Sequence, residues 1–205
     1  MAFQMMQIAG HPLDSVTDLA SGASKYPLDV LYFADSLGSL DTDSLSEIVK
    51  SIKDGWKGDI GFHSHDNMSR ALINAKKAFE EGVNWLDSTI TGMGRGPGNA
   101  KTELLVLEFE DIRGNKRNLT KMLNLIRRYF DPMKTKYKWG CNSFYYLAGK
   151  YGIHPTFVQE MLNDNRYAEE DVLVAIDHLN IVGGKKFSKD MLESARNFFT
   201  DKHIG

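Results

Sequence analysis

The chain has little of several things, and each scarcity excludes something. Cys141 is its only cysteine, so no intrachain disulfide can form, which fits a reducing compartment. No apolar run approaches the ~20 residues that a membrane-spanning helix needs, and Met1 to Gly10 lacks a basic segment followed by a long apolar one. These features lead to the expectation of a soluble, cytoplasmic protein that binds no membrane. Excess basic charge is missing too. With 25 Lys and Arg against 27 Asp and Glu, and no basic run longer than a pair such as Lys76-Lys77 or Arg127-Arg128, nucleic acid is not an expected partner. There is no internal repeat, low-complexity tract or long flexible linker. Of the 205 residues, 42% are hydrophobic, enough to bury a real core.

The patterned segments alternate between two kinds. Phe3 to Ile8 reads as a strand ended by Gly10 and Pro12, and Asp14 or Ser15 then caps a helix to about Lys25. Val30-Leu31-Tyr32-Phe33-Ala34 is apolar throughout, the pattern of a strand buried on both faces, and a helix from Thr42 to Lys53 follows the turn Asp35-Ser36-Leu37-Gly38. Asp59 to His63 is a third strand, after which Asn67 can cap a helix lined by Ala71, Ala75, Ala78 and Phe79. Trp85 to Ile90 is the fourth. It leads into the glycine-rich loop Gly92 to Asn99 and a helix from about Ala100 to Glu110.

Four successive β/α units require a parallel sheet, either a small doubly wound one or half of a barrel. Beyond Arg113 only helices are expected: 119–130, 143–151, 156–162, 169–179 and 188–202. The expected organisation is therefore an α/β region over 1–113 and a helical region over 114–205, with the segment Pro132 to Gly140 as a natural break.

Chemistry concentrates at strand ends. His63 and His65 are two apart, so their side chains leave the same face, about 6 to 7 Å apart at Cα. Two neutral imidazoles with oxygen donors nearby suit a divalent first-row cation, although a packing or surface pair would share this spacing. Active sites of parallel α/β folds collect at the C-terminal ends of strands. Asp35-Ser36, His63 to Asn67 and Asp87 to Thr91 all fall there. Asp35, Asp66 and Asn67 have helix capping as the competing role. Arg95 can present a cation from the glycine loop, which would otherwise be a surface turn. Cys141 reads as a small buried residue, and His11, His154, His178 and His203 show no ligand-like spacing and read as surface or structural.

The run His63-Ser64-His65-Asp66-Asn67, the segment Asn74-Ala75, then Glu81-Gly82-Val83, Asp87 and Gly92-Met93-Gly94-Arg95-Gly96-Pro97-Gly98-Asn99-Ala100-Lys101-Thr102-Glu103 together resemble the HMG-CoA lyase-like, or DRE-TIM metallolyase, superfamily. Ala34-Asp35-Ser36-Leu37-Gly38 and Trp139-Gly140 to Leu147 extend the resemblance towards its 4-hydroxy-2-oxovalerate aldolase branch. It implies an α/β fold, the second half of a TIM (β/α)8 barrel with four parallel β/α units, followed by an all-helical C-terminal region. It also implies a divalent metal, Mn or Mg, held by His63, His65 and Asn99. The implied chemistry is aldolase- or lyase-type carbon–carbon bond cleavage or formation on a small 2-oxo acid, with the metal stabilising an enolate. Asp35, Ser36 and Arg95 are the accompanying catalytic candidates.

Two family features are absent. Nothing matches the strand-one Asp-Arg motif, and the position of the branch's catalytic tyrosine falls at Cys141 or Asn142, with Tyr145 and Tyr146 a few residues on. Four strands cannot close a barrel. The expectation is then a fragment or inactive remnant, or a half-barrel completed by a partner chain or by a second copy as a homodimer. A non-catalytic partner or regulatory half-barrel is the rival to an enzyme, and a metal-dependent hydrolase using His63 and His65 is a third reading.

Overall fold

The computed structural model describes residues 1–110 and 119–202. The expected division at 113/114 and His203 lie outside the described residues. The first part runs β1 (Ala2–Met5), α1 (Leu13–Ala23), β2 (Val30–Asp35), α2 (Thr42–Gly55), β3 (Asp59–Ser64), α3 (Ala71–Glu80), β4 (Trp85–Leu86) and α4 (Thr102–Glu108). The second comprises α5 (Thr120–Leu125), a π-helical turn (Ile126–Phe130), α6 (Asp131–Tyr137), α7 (Ser143–Lys150), α8 (Pro155–Leu162), α9 (Glu169–Val182) and α10 (Lys189–Lys202).

All strand pairs are parallel and their order is β1-β2-β3-β4. A doubly wound sheet reverses its strand order at a switch point, and this sheet does not. The monotonic order is that of consecutive barrel strands. It places the helices in one layer, with α1 against α2, α2 against α3 and α3 against α4.

Side chains alternate across the sheet. Leu31, Phe33, Ile60 and Phe62 face the helices and join Val16, Ala20, Leu45, Val49 and Ile52 in the main core. Phe33 and Phe62 are register partners whose rings stack at 4.7 Å. Each buried phenylalanine contributes on the order of 1.5–3 kcal/mol. The opposite face carries Gln4, Tyr32, Gly61 and Trp85 in one register row, and this face is open: Trp85 is 51% exposed. The helical region has a core of its own around Tyr145, Phe157, Met161, Ile176 and Leu179.

Several local expectations are corrected. β1 stops at Met5 because Gln7 adopts a left-handed conformation (φ 55°), its N–H donates to Ser36 Oγ at 2.9 Å, and Ile8–Gly10 forms a 3-10 turn. α1 has no side-chain cap from Asp14 or Ser15; Pro12 precedes it. α3 starts only at Ala71, whose N–H donates to Asp66 Oδ1 at 3.1 Å, so Asp66 and not Asn67 serves its start. β4 ends at Leu86, short of Ile90, because pairing stops at Phe62 and Thr89 then turns to bridge Lys101. Pro132 begins a helix instead of breaking one, since the first turn of α6 tolerates its missing N–H.

α2 does begin at Thr42. Asp41 is its cap, with its carboxylate accepting from Ser44 N at 2.8 Å. Asp41→Ala is expected to cost about 1 kcal/mol, read as a shift of the urea midpoint with unchanged slope; no shift would mean that solvent satisfies the end of α2 equally well.

Candidate metal centre

β3 delivers His63 onto the open face of the sheet, beside Ala34, and His65 follows just beyond the strand. The two rings meet edge to face with centroids 4.9 Å apart. Each is held through Nδ1. His65 Nδ1 lies 2.8 Å from the Asp35 carbonyl oxygen, which can only accept, so Nδ1 carries the proton and Nε2 keeps its lone pair. His63 Nδ1 lies 3.2 Å from Asp87 Oδ2, and the same logic applies to it. Second partners of this kind fix the tautomer of metal-binding histidines. Burial, opposed by the Asp35 carbonyl and aided by the nearby His63, Arg95 and His154, lowers the His65 pKa to about 4. His65 is therefore a neutral imidazole at physiological pH.

Asp87 is itself placed by the sheet. Tyr32 crosses β3 at Gly61, where a Cβ would sit 2.5 Å from its ring, and its hydroxyl bonds to the Asp87 carboxylate. Burial first, and Asp87 second, raise the Tyr32 pKa. Without glycine at 61 this ring could not lie flat enough to reach Asp87, just beyond β4.

The glycine loop folds back on the end of β3. Asp66 N donates to Gly98 O at 3.0 Å, Asn99 N to Gly92 O at 3.1 Å, and Gly140 N to Gly96 O at 2.9 Å, which ties the loop to the helical region as well. Two of its glycines are obligatory. A Cβ at Gly94 would lie 2.4 Å from Asn99 Nδ2, and one at Gly98 (φ +78°) 2.3 Å from Gly92 O. Asn99 bridges His65 through the backbone and donates Nδ2 to Met93 O at 3.1 Å, while its Oδ1 is buried without a partner. An orphaned buried carbonyl costs about 1–3 kcal/mol, so an electrophile there would be stabilising.

His63, His65 and Asn99 line one cavity of about 370 Å³, together with Ser36, Arg95 and, from α8 and its cap, His154 and Gln159. Ser36 Oγ accepts the Gln7 N–H and keeps its own hydrogen for donation. Asp35 is placed elsewhere. It follows Leu31 and Phe33 on the helix side, is fully buried, and accepts from Ser39 N and Leu40 N at 3.1 Å each. Only its backbone carbonyl touches the site. Among the described residues no three His, Cys, Asp or Glu side chains converge as a metal cluster. The fit for a cation therefore rests on two Nε2 lone pairs and the Asn99 oxygen, a set that leaves further positions for water or substrate.

Two residues were not legible as site components. Asp87 gave a signal as part of a strand-end cluster, but not its role in orienting His63. His154 gave none, and the expectation of a surface or structural residue omits its place in the cavity wall. Tyr145 lies against Gly96, with a Cβ there only 3.0 Å from its ring, and burial pushes its pKa up to about 12. It buttresses the loop from behind, and Tyr146 is exposed. Cys141 is half-buried and donates Sγ–H to Asn67 O at 2.9 Å.

Comparison with known proteins identifies the family and the fold. A 4-hydroxy-2-oxovalerate aldolase of Geobacillus stearothermophilus is 30% identical over 183 residues, covering 85% of this chain and 52% of that protein. The chain thus spans about half the length of the curated relatives it matches. Among solved structures, the N-terminal domain of a putative aldolase from Bacteroides vulgatus superposes with a TM-score of 0.69 at 29% identity, over 84% of this chain and 56% of that one. The carboxyl transferase domain of Rhizobium etli pyruvate carboxylase shares the fold at a TM-score of 0.66 and 16% identity, over 98% of this chain and 37% of that one, so the likeness reaches into the helical region. The HMGL-like family profile matches residues 1–127, well over half of the chain. The chain belongs to the HMGL-like family.

Proposed function

We propose that His63, His65 and Asn99 hold one divalent cation, Mn²⁺ or Mg²⁺, and that the site performs aldolase- or lyase-type carbon–carbon chemistry on a small 2-oxo acid. The observation that carries this reading is the pair of imidazoles whose Nδ1 atoms are engaged and whose Nε2 lone pairs are free, beside the unpartnered Asn99 Oδ1. The names of the aldolase relatives point the same way. A bound dication supplies Lewis-acid polarisation of the 2-oxo group.

The chain's own residues do the rest. Burial keeps His65 neutral, so that its Nε2 lone pair is available to a cation without loss of a proton. Arg95 brings positive charge to a cavity wall facing an anionic substrate, and the Ser36 hydroxyl offers a proton to an acceptor oxygen. Oriented donors of this kind stabilise charge that develops on an enolate oxygen.

The test is exchange of the pyruvate methyl protons for deuterium, followed by proton NMR with the purified chain and Mn²⁺. Exchange that needs both the metal and the histidine pair is expected. Its absence contradicts the enzymatic reading. It would favour a second one, in which the chain is a non-catalytic half-barrel completed by a partner chain or a second copy, for which the exposed face bearing Trp85 is the motivating observation.

A further inference from the structure

The cavity at the histidine pair has an unbalanced chemistry. Its lining includes Arg95, His63, His65 and His154, and no carboxylate. Arg95 makes no ion pair among the described residues. Its charge nevertheless acts on two of the histidines, disfavouring protonation of both His65 and His154. An anion is the ligand class that such a wall selects.

His154 is the part of this wall that comes from the helical region, and it is held firmly. Ile153, fully buried, precedes it; its own N–H donates to Gly184 O at 2.8 Å; and Pro155 fixes the first turn of α8 behind it. As the N-cap of α8 it accepts the Thr156 N–H on Nδ1 at 3.3 Å. An Nδ1 that accepts is unprotonated, so in the neutral ring Nε2 carries the hydrogen. Burial, with Arg95 adding to it, lowers the pKa of His154 and so favours that neutral donor form. The histidine pair thus offers lone pairs, while His154 in the same cavity offers an N–H beside a guanidinium.

Resting on the proposed reading, in which the 2-oxo group and its adjacent carboxylate sit at His63 and His65, we infer that Arg95 and His154 form a recognition pair for a second carboxylate. The substrate class is then a 2-oxo dicarboxylic acid, with its far carboxylate between the glycine loop and the cap of α8. Arg95 supplies charge and a planar fork of donors, and His154 Nε2–H adds a fixed neutral donor. A cavity of about 370 Å³ accommodates a five-carbon chain bound at both ends. A 2-oxo monoacid of equal length would set an alkyl end against these donors and leave them unsatisfied. Sites built to bond a polar group reject analogues that lack it.

The experiment compares 2-oxoglutarate with 2-oxopentanoate, which has the same chain length without the far carboxylate. Affinities for the purified full chain are measured by calorimetry, once with EDTA and once with Mn²⁺. The wild type is expected to prefer the dicarboxylate by about tenfold or more in both conditions. Arg95→Gln and His154→Phe should each remove most of that preference, and His154→Gln, which restores a neutral donor, should recover part of it. Equal affinities, no binding of either acid, or a preference that survives both Arg95→Gln and His154→Phe would overturn the inference. Failure of the metal reading is recorded separately, as absence of Mn²⁺ binding in a titration without organic acid. A preference that persists in EDTA would then still stand on Arg95 and His154 alone.

Discussion

A His63→Ala, His65→Ala double variant is expected to bind Mn²⁺ at least about a hundredfold more weakly than the wild type while keeping its fold. The reasoning begins with the two Nδ1 contacts. An imidazole can bind a cation only through a nitrogen that has no proton, and both rings engage Nδ1 elsewhere, so both present Nε2. Removing them takes away two of the three donors and leaves Asn99 Oδ1 alone, and an isolated amide oxygen does not retain a dication against water. The fold should persist because neither ring belongs to the helix-side core formed by Phe33, Phe62 and their neighbours. Changing an outer partner should have a smaller effect: Asp87→Asn, which weakens the hold on His63 Nδ1, is expected to cost about 10-fold to 100-fold in affinity. Calorimetric Mn²⁺ titrations of the three proteins settle the ranking. Equal affinity in the double variant and the wild type would mean that the cation, if bound, sits elsewhere.

The largest effect on stability is expected at Asp35. Its carboxylate is fully buried at the end of β2 and accepts from Ser39 N and Leu40 N, which closes the turn before α2. Asp35→Ala leaves those amides without an acceptor and opens a small void, at a cost of about 2–4 kcal/mol. The same carboxylate makes stability depend on pH. Burial, the dominant cause, raises its pKa from 3.8 to about 6 against the opposing backbone N–H bonds of Ser39, Leu40 and Gly38. Between these values the folded state holds the proton that the unfolded state has released. The Asp35 contribution is therefore fully present below about pH 4 and is lost as pH rises through 6, with an upper bound of roughly 3 kcal/mol across the window. Asp35→Asn keeps an acceptor oxygen without the charge and should remove this slope while losing less stability than the alanine variant. Urea unfolding of the three proteins at several pH values between 4 and 7 measures both effects. A wild-type stability that rises with pH across that range, by an amount that Asp35→Asn abolishes, would reverse the sign argued here.

The parallel α/β architecture was legible because its signals are local. Val30 to Ala34 is apolar on both faces, as a central parallel strand must be, and the helices after β2 and β3 carry clear apolar stripes. That same uniformity concealed which way Asp35 points. When both faces of a strand are apolar, the pattern does not say which parity meets the helices, so a strand-end aspartate looked like a site residue. Pairing partners then fixed what local pattern could not. β4 has the composition of a six-residue strand, yet only Trp85 and Leu86 pair, because the Ser64 carbonyl accepts from Ala100 N at 3.1 Å and Thr89 N donates to Ala100 O at 3.0 Å, which brings the end of the glycine loop between the two strands. His63 and His65 were legible from their spacing as a same-face pair at a strand end, a pattern that a packing or surface pair shares. Arg95 was read from the glycine-rich loop itself and Asn99 rested on the resemblance; the geometry of both depends on Gly94 and Gly98, whose lack of side chains lets the loop fold over β3. His154 could not be read from the chain at all. It reaches the cavity only because the helical region packs against the glycine loop, through Gly140 on Gly96 and Tyr145 beneath it.

The most direct measurement is anomalous diffraction at the manganese edge from crystals soaked in Mn²⁺. One strong peak is predicted within about 2.0–2.3 Å of His63 Nε2, His65 Nε2 and Asn99 Oδ1. A peak bound to other residues, or none at this pair while Mn²⁺ is bound in solution, would contradict the assignment.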